Sequence, residues 1–312
     1  MSKCSSCKNE SVYFRTNEGR HYCKVCFSKN IEKKVRLTIS KNNLIKNGDK
    51  IVVAFSGGKD SGNLLYLLHK IFKDNPNVKI VGMTIDEGIK GYRNITIDKC
   101  ADFCKKLDVE HHIFTYKEYF HTTIDNLAKD NDDSMCGFCG IFRRYLLNEG
   151  ARRLDATKLA TGHNLDDETQ SILMNVLKGD LMRFARIGPI PKIKRHIKFV
   201  QRIKPLISIP ERESALYAML NSIPAYFTEC PYAQRNALRM ETRDFLNKME
   251  ERSPGIKYSI ISSAQRVAPF IEASFKKSNI KECETCGEPT SGNICIVCQT
   301  MKKVNIKLSK SS

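Results

Sequence analysis

No apolar stretch in the 312-residue chain approaches the ~18–20 residues needed to cross a bilayer. The opening Met1-Ser2-Lys3-Cys4-Ser5-Ser6-Cys7 has no apolar core for a secretion signal. A cytoplasmic protein is expected. In that compartment thirteen cysteines point to metal and redox chemistry, not to a disulfide framework. No internal repeat occurs beyond two short cysteine modules. Acidic residues are missing altogether from Leu181 to Pro210. That window holds Arg183, Arg186, Lys192, Lys194, Arg195, Lys198, Arg202 and Lys204, with Phe184 and Phe199 interleaved and Pro189 and Pro191 expected to keep it extended. So long an acid-free run favours RNA contact over a merely solvated face.

Over the whole chain 52 Lys and Arg stand against 34 Asp and Glu, a formal charge of +18. Two divalent ions, each on four thiolates, would lower it to about +14. The remaining excess suits a polyanionic partner, and in the cytoplasm that means nucleic acid.

The chain is organised around Lys50–Ser61. Ile51 to Phe55 is an unbroken apolar run, as expected of a strand buried on both faces of a parallel sheet. Ser56-Gly57-Gly58 interrupts it, and a helix is predicted from about Asp60. A strand, a glycine turn and a helix start make an anion site, where free N–H groups and the positive end of the helix dipole converge. Lys59 adds a point charge, and Asp60 suits a magnesium ion bridging to phosphates. Val53 stands where a GxxxxGK[ST] loop would have its first glycine, so this is a different cradle.

Further strands are predicted over Lys79–Asp86, Glu110–Tyr116 and Lys158–Thr161, with helices between them. The alternation implies an α/β fold with a doubly wound parallel sheet. Thr161 to Asp167 forms a second strand–Gly–polar–helix turn, which would place His163 and Asp167 near the first. Residues 211–278 are expected to be mainly helical, opened by Pro210 at the first helical position. The expected divisions are a zinc ribbon at 1–30, a helical connector at 31–48, the nucleotide-binding domain at 49–210, the helical region at 211–278, a second ribbon at 279–302 and a basic tail at 303–312.

Cys4, Cys7, Cys23 and Cys26 have the spacing of a four-thiolate zinc site, as do Cys283, Cys286, Cys295 and Cys298. Cys100 and Cys104 fall in an amphipathic stripe and read as core. Cys136, Cys139 and Cys230 remain. Cys136 and Cys139 are flanked by glycines, with a helix bearing Arg143 and Arg144 on its first turns expected to follow. Three thiolates can hold a 4Fe–4S cluster with one iron open, and glycines leave room for it. The alternative is thiol chemistry without metal: a persulfide on Cys230, resolved by Cys136 or Cys139.

The order of these motifs resembles the cytosolic tRNA 2-thiouridine synthetases, PP-loop ATP pyrophosphatases with zinc ribbons at both ends. The resemblance spans essentially the whole chain. It implies a tRNA-uridine 2-sulfurtransferase that adenylates the base at O2 and then delivers sulfur to C2. ATP phosphates would lie on Ser56, Gly57, Gly58, Lys59, Asp60 and Ser61, adenine against Ala54 and Ile85, and Gly162 and His163 beside them. Arg143 would sit near ATP, and Asp167 would act close to the reaction. Cys136, Cys139 and Cys230 would ligate the cluster. ATP, Mg2+, the cluster and two Zn2+ are the implied cofactors. The implied partners are tRNA, a sulfur donor (free sulfide or a thiocarboxylated ubiquitin-like protein) and a second copy as homodimer. The wobble uridine is expected over the T-loop uridine. Rival expectations are a PP-loop enzyme that forms an amide on tRNA and a zinc-ribbon RNA adaptor in which Lys59 and Asp60 would be idle.

Overall fold

A computed structural model describes residues 2–130, 135–191, 196–226, 229–233, 237–275, 280–304 and 306. Lys192, Lys194, Arg195 and most of the basic tail lie outside the described residues. The strands are β1 (Tyr13–Arg15), β2 (Arg20–Tyr22), β3 (Lys50–Ala54), β4 (Lys79–Asp86), β5 (Glu110–Thr115), β6 (Lys158–Ala160), β7 (Gln201–Ile203), β8 (Lys281–Glu282) and β9 (Pro289–Thr290). The helices are α1 (Lys24–Lys41), α2 (Lys59–Phe72), α3 (Arg93–Lys106), α4 (Tyr116–Phe120), α5 (Ile124–Asp130), α6 (Met135–Arg153), α7 (Leu165–Leu177), α8 (Leu181–Phe184), α9 (Glu211–Leu220), α10 (Ala237–Arg252), α11 (Ile256–Ser274) and α12 (Ile296–Lys303). None is long and apolar enough to cross a membrane.

Five strands form one sheet in the order β5-β4-β3-β6-β7, every pair parallel. Ile51, Val53 and Phe55 pack with Leu64, Leu65, Leu68, Phe103 and Tyr217 in one core. Val52, Val81, Met83 and Ile85 pack with Tyr116, Phe142 and Leu146 in another. Successive side chains of β3 thus enter opposite cores, which is why its sequence is apolar without alternation. From β3 the chain runs outward to β4 and β5, then returns to the other side of β3 for β6 and β7. The winding therefore reverses between β3 and β6, the place where such sheets take ligands.

Four local expectations are corrected. The acid-free window is not one extended arm, because it contains α8 and the edge strand β7, which pairs Arg202 beside Leu159 of β6. Helix α6 begins at Met135, so Cys136 and Cys139 are inside it and Arg143 lies two turns in. Its glycines weaken a helix without stopping one whose other face is buried. Pro210 takes the N-cap of α9, with Glu211 as the first helical residue. Helix α1 begins at Lys24, within the N-terminal cysteine module itself.

Both modules are built alike. Each has a two-stranded hairpin, and in each the third cysteine caps a helix: Cys23 accepts from the Cys26 N–H at 3.5 Å, and Cys295 from that of Cys298 at 3.4 Å. Neither stands apart from the domain. Tyr22 and Phe27 enter the first core, Val297 and Met301 the second. Arg15 of β1 is 1 % exposed and grips Glu213 of α9 with two bonds of 2.6 and 2.8 Å. Pairing on both nitrogens offsets the cost of taking that guanidinium out of water.

Candidate functional site

The carboxyl ends of β3 and β6 carry two helix starts, and their capping distinguishes them. Helix α7 is closed by its own residues, since Asn164 Oδ1 accepts from the Asp167 N–H at 3.0 Å and Asp167 returns a bond to the Asn164 N–H at 3.2 Å. Helix α2 has Gly58 at its N-cap and no side-chain cap. Its first N–H groups are the ones left for an external anion. The loop before it is held from within: the Ser56 N–H donates to Ser61 Oγ at 3.2 Å, and the Ser61 hydroxyl donates to the Gly58 carbonyl at 3.0 Å. Gly57 has φ +86°, and a Cβ there would stand 3.3 Å from both Cys100 Sγ and Thr96 Cβ. Conformation and space both require glycine. Cys100 and Cys104 are core, with thiols pushed up by burial to about 11 and about 12.

Lys59 Nζ lies 3.0 Å from Asp60 and 2.9 Å from Glu211. Burial works against its charge, yet these two acids outweigh it and raise its pKa. The Ser214 hydroxyl donates to Asp60 at 2.6 Å, so α9 orients both residues of the cradle. The second turn packs directly on the first: a Cβ on Gly162 would come within 3.0 Å of the Asp60 carbonyl carbon and the Ser61 nitrogen. His163 and Asp167 are thereby brought beside the loop. Desolvation, with Asp60 and Glu211 nearby, pushes the Asp167 carboxyl up to about 6. His163 is exposed on that turn, with Nδ1 2.9 Å from Thr161 Oγ1. The surrounding protein and then Lys204, Arg202 and Arg239 push its pKa down to about 4, so it is neutral at pH 7. Asp166 is turned away, bonding Lys257 and the Glu211 N–H.

Beside the loop is a cavity of about 250 Å³, lined among others by Ala54, Gly57, Gly58, Ile85, Arg143 and Cys230. Glu87, 3 % exposed, ties its wall together. One carboxylate oxygen meets Arg93 at 2.8 Å and the other Arg143 at 2.9 Å. Arg93 also donates to the carbonyls of Ile85 at 2.7 Å and Ser56 at 3.0 Å. The Ile85 carbonyl is therefore already engaged by protein. Tyr226 donates its N–H to the Gly57 carbonyl at 3.0 Å, and its ring lies 5.7 Å from that of Tyr92. Glu87, Tyr92, Arg93 and Tyr226 carried no sequence signal beyond the place of Glu87 at a strand's carboxyl end.

Arg143 joins this cavity to the unassigned cysteines, donating to Cys139 Sγ at 3.0 Å. Burial pushes the Cys139 thiol up, against the pull of Arg143. Cys136 is exposed and bonds the Tyr232 carbonyl at 3.1 Å, two residues from half-buried Cys230. Cys136 and Cys139 thus lie at the start of α6, with the Cys230 segment against it through Tyr232. Gly137 faces open space there, which leaves room for an inorganic group. Among the described residues only the two terminal four-cysteine sets bring three or more ligand atoms within 4.8 Å of one another. That spacing suits a single tetrahedral ion. A cluster spans more than one ion, so its thiolates need not meet that limit, and the space beside Gly137 is compatible with one.

The PP-loop domain family model matches residues 27–248. The chain is 36 % identical to the tRNA 2-thiolation protein NcsA of Haloferax volcanii, over 97 % of this chain and 99 % of that one. The chain belongs to the PP-loop family of tRNA 2-thiolation sulfurtransferases. A second relative is the tRNA-5-methyluridine(54) 2-sulfurtransferase of Pyrococcus horikoshii, 33 % identical over 99 % of this chain and 97 % of that one. The solved U34-tRNA thiolase NcsA of Methanococcus maripaludis, with its [4Fe-4S] cluster, superposes with a TM-score of 0.86 at 36 % identity, covering 100 % of this chain and 99 % of that one.

Within this tRNA 2-thiolation fold the basic residues of the acid-free window divide. Arg183 and Arg186 are exposed, Arg183 beside Asp180 at 3.2 Å. Lys198 reaches the Gly287 carbonyl at 2.7 Å and Glu282 at 2.8 Å, so it fastens the C-terminal module. Lys204 pairs with buried Glu168. Arg202 is half-buried and donates to the Arg144 carbonyl at 3.3 Å. Three of the cations in that window are therefore engaged inside the protein.

Proposed function

We propose that this chain adenylates a tRNA uridine at O2 with ATP and then exchanges the activated oxygen for sulfur at C2, giving 2-thiouridine. The observation that carries this is the meeting of two sites across Arg143, which lines the cavity beside an uncapped helix start and touches Cys139. ATP phosphates lie on Ser56 to Ser61, and the base enters the cavity by Ala54 and Ile85, with Gly162 and His163 closing the opposite side. The wobble uridine is the proposed target, supported by the U34 thiolase that superposes over the full chain.

The uridine O2 attacks the α-phosphorus while N3 loses its proton, and the bond from that phosphorus to pyrophosphate breaks. Lys59 and the N–H groups of α2 stabilise the charge on the departing pyrophosphate. The carboxylates of Asp60 and Glu211 are hard oxygen ligands suited to magnesium, which would neutralise phosphate charge. Asp167, with its pKa near 6, accepts the N3 proton at neutral pH. Hydrosulfide then adds to C2, AMP leaves with the former O2, and the proton carried in on sulfur ends on N3. Cys136, Cys139 and Cys230 would hold a 4Fe–4S cluster, supplying an iron without a protein ligand where inorganic sulfide can be presented. The two terminal four-cysteine sites would hold zinc and serve structure, since four thiolates leave no open position.

Pyrophosphate release tests the first step. Wild-type protein should release it only with tRNA present, and Lys59→Ala and Asp60→Ala should abolish it while keeping metal content. Release at the wild-type rate by either variant contradicts the assignment.

A further inference from the structure

Arg143 and Arg144 are neighbours on α6 and point to different sides of it. Arg143 turns to Glu87 and the nucleotide cavity. Arg144 folds back along the helix, its Nη1 3.4 Å from where a Cβ on Gly140 would be, which puts its guanidinium beside the turn that carries Cys139. Arg202 reaches the next turn of α6 from the sheet. Its register beside Leu159 turns it to the α6 face, and it donates to the Arg144 carbonyl. Its positive charge also reaches His163 on the other side.

Neither Arg144 nor Arg202 forms an ion pair with a carboxylate among the described residues. Nearby Lys204 is neutralised by Glu168, so acids are placed in this region where the fold needs them. Arg202, half-buried against the main chain of Arg144, and Arg144, exposed on α6, thus carry like charges near each other without an acid between them, which is unfavourable. The surrounding protein, first, pushes both pKa values down, and like charge adds to this: Arg144 acts on Arg202, and Arg183 and Arg143 act on Arg144. A ligand that brings negative charge relieves both costs. The ATP phosphates have their own cradle at the start of α2, so an anion bound here would be a second one.

We propose that Arg144 and Arg202 form a phosphodiester clamp, gripping the tRNA backbone beside the target uridine so that the base is presented between Asp167 and the cysteines of α6. The inference rests on the tRNA thiolation reading given above. The fork of a guanidinium suits two phosphate oxygens at once, and such contacts fix position while leaving sequence to other groups. The clamp is distinct from the exposed basic residues of the window, which would add affinity farther from the reacting base.

The test uses the full chain and a tRNA transcript with unmodified uridines at positions 34 and 54. Binding is followed by fluorescence anisotropy between 50 and 200 mM salt, the range over which phosphate contacts are resolved. Arg144→Gln and Arg202→Gln should each weaken binding by about tenfold. Each should also flatten the slope of log K against log salt by about 0.7–0.9, the share carried by a single neutralised phosphate. ATP affinity should stay unchanged, and Arg144→Lys should keep the slope while losing thiolation rate, because it restores charge without the fork. Arg144 is on the solvent side of its helix, so its variant remains informative if Arg202→Gln fails to fold. Unchanged slope and affinity in Arg144→Gln overturn the clamp. Failure of the wild-type protein to bind the transcript at all would overturn the functional reading instead.

Discussion

Glu87 holds the site's two halves together, and its replacement by Gln isolates that role. The side chain is 4 % exposed and pairs with Arg93, whose side chain is 6 % exposed, and with Arg143, whose side chain is 48 % exposed. Removing one partner of a buried pair costs about 3–5 kcal/mol, because the other charge is left uncompensated. Arg93 keeps its bonds to the Ile85 and Ser56 carbonyls, and the pair with Arg143 is screened by solvent, so the low end, about 3 kcal/mol, applies. With about 2.1 cal/mol/K of unfolding entropy per residue, the whole chain gains roughly 0.65 kcal/mol/K, and the melting temperature should fall by about 4–5 °C. Arg143→Gln, removing only the half-exposed partner, should lower it by about 1 °C or less. Thermal melts of both variants, with ATP titrations alongside, make the comparison. ATP affinity should fall with Glu87→Gln, since Arg93 no longer has a fixed acid beside the carbonyls it holds. A shift under 1 °C for Glu87→Gln, with ATP affinity intact, would refute the argument.

Replacing any one of Cys136, Cys139 and Cys230 by Ala should remove iron and thiolation together while leaving both terminal metal sites loaded, as read by anaerobic metal analysis; full activity of iron-free protein supplied with sulfide would favour a persulfide on Cys230 instead. The thiolation kcat/KM should rise with pH through about 6 as the Asp167 carboxyl, raised chiefly by burial, loses its proton, and fall about tenfold per unit below it; a flat profile between pH 5 and 7 would remove Asp167 from the reaction. Gly57→Ala meets Cys100 and Thr96 at 3.3 Å in a left-handed backbone, so ATP binding should weaken by at least about tenfold and the fold lose roughly 1–2 kcal/mol, measured by titration and chemical denaturation.

The parallel sheet and the phosphate cradle were legible because their signals are local. An apolar run, two glycines and a lysine are contiguous, and cysteine pairs announce a metal by spacing alone. Strand β7 was hidden because a three-residue edge strand, Gln-Arg-Ile, has no apolar run to show. The start of α6 was misplaced because Gly137 and Gly140 resemble breakers, whereas Phe138 and Phe142 bury the face that keeps the helix formed. The network of Glu87 with Arg93 and Arg143 joins three elements, and the pair of Arg15 with Glu213 joins residues 198 apart. Such pairings depend on tertiary placement, which leaves no pattern in either segment. Lys198 and Lys204 illustrate the converse, since a lysine in a basic window looks the same whether it faces solvent or a buried glutamate.

The central claim is that ATP activates the uridine O2 and that this oxygen leaves with AMP. A tRNA transcript carrying 18O at uridine O2, incubated without oxygen with the protein, Mg-ATP and sulfide, tests it directly by mass analysis of nucleosides and nucleotides. One labelled AMP should appear for each 2-thiouridine formed, with pyrophosphate unlabelled. Label in water or in pyrophosphate, or 2-thiouridine formed without ATP, would contradict it.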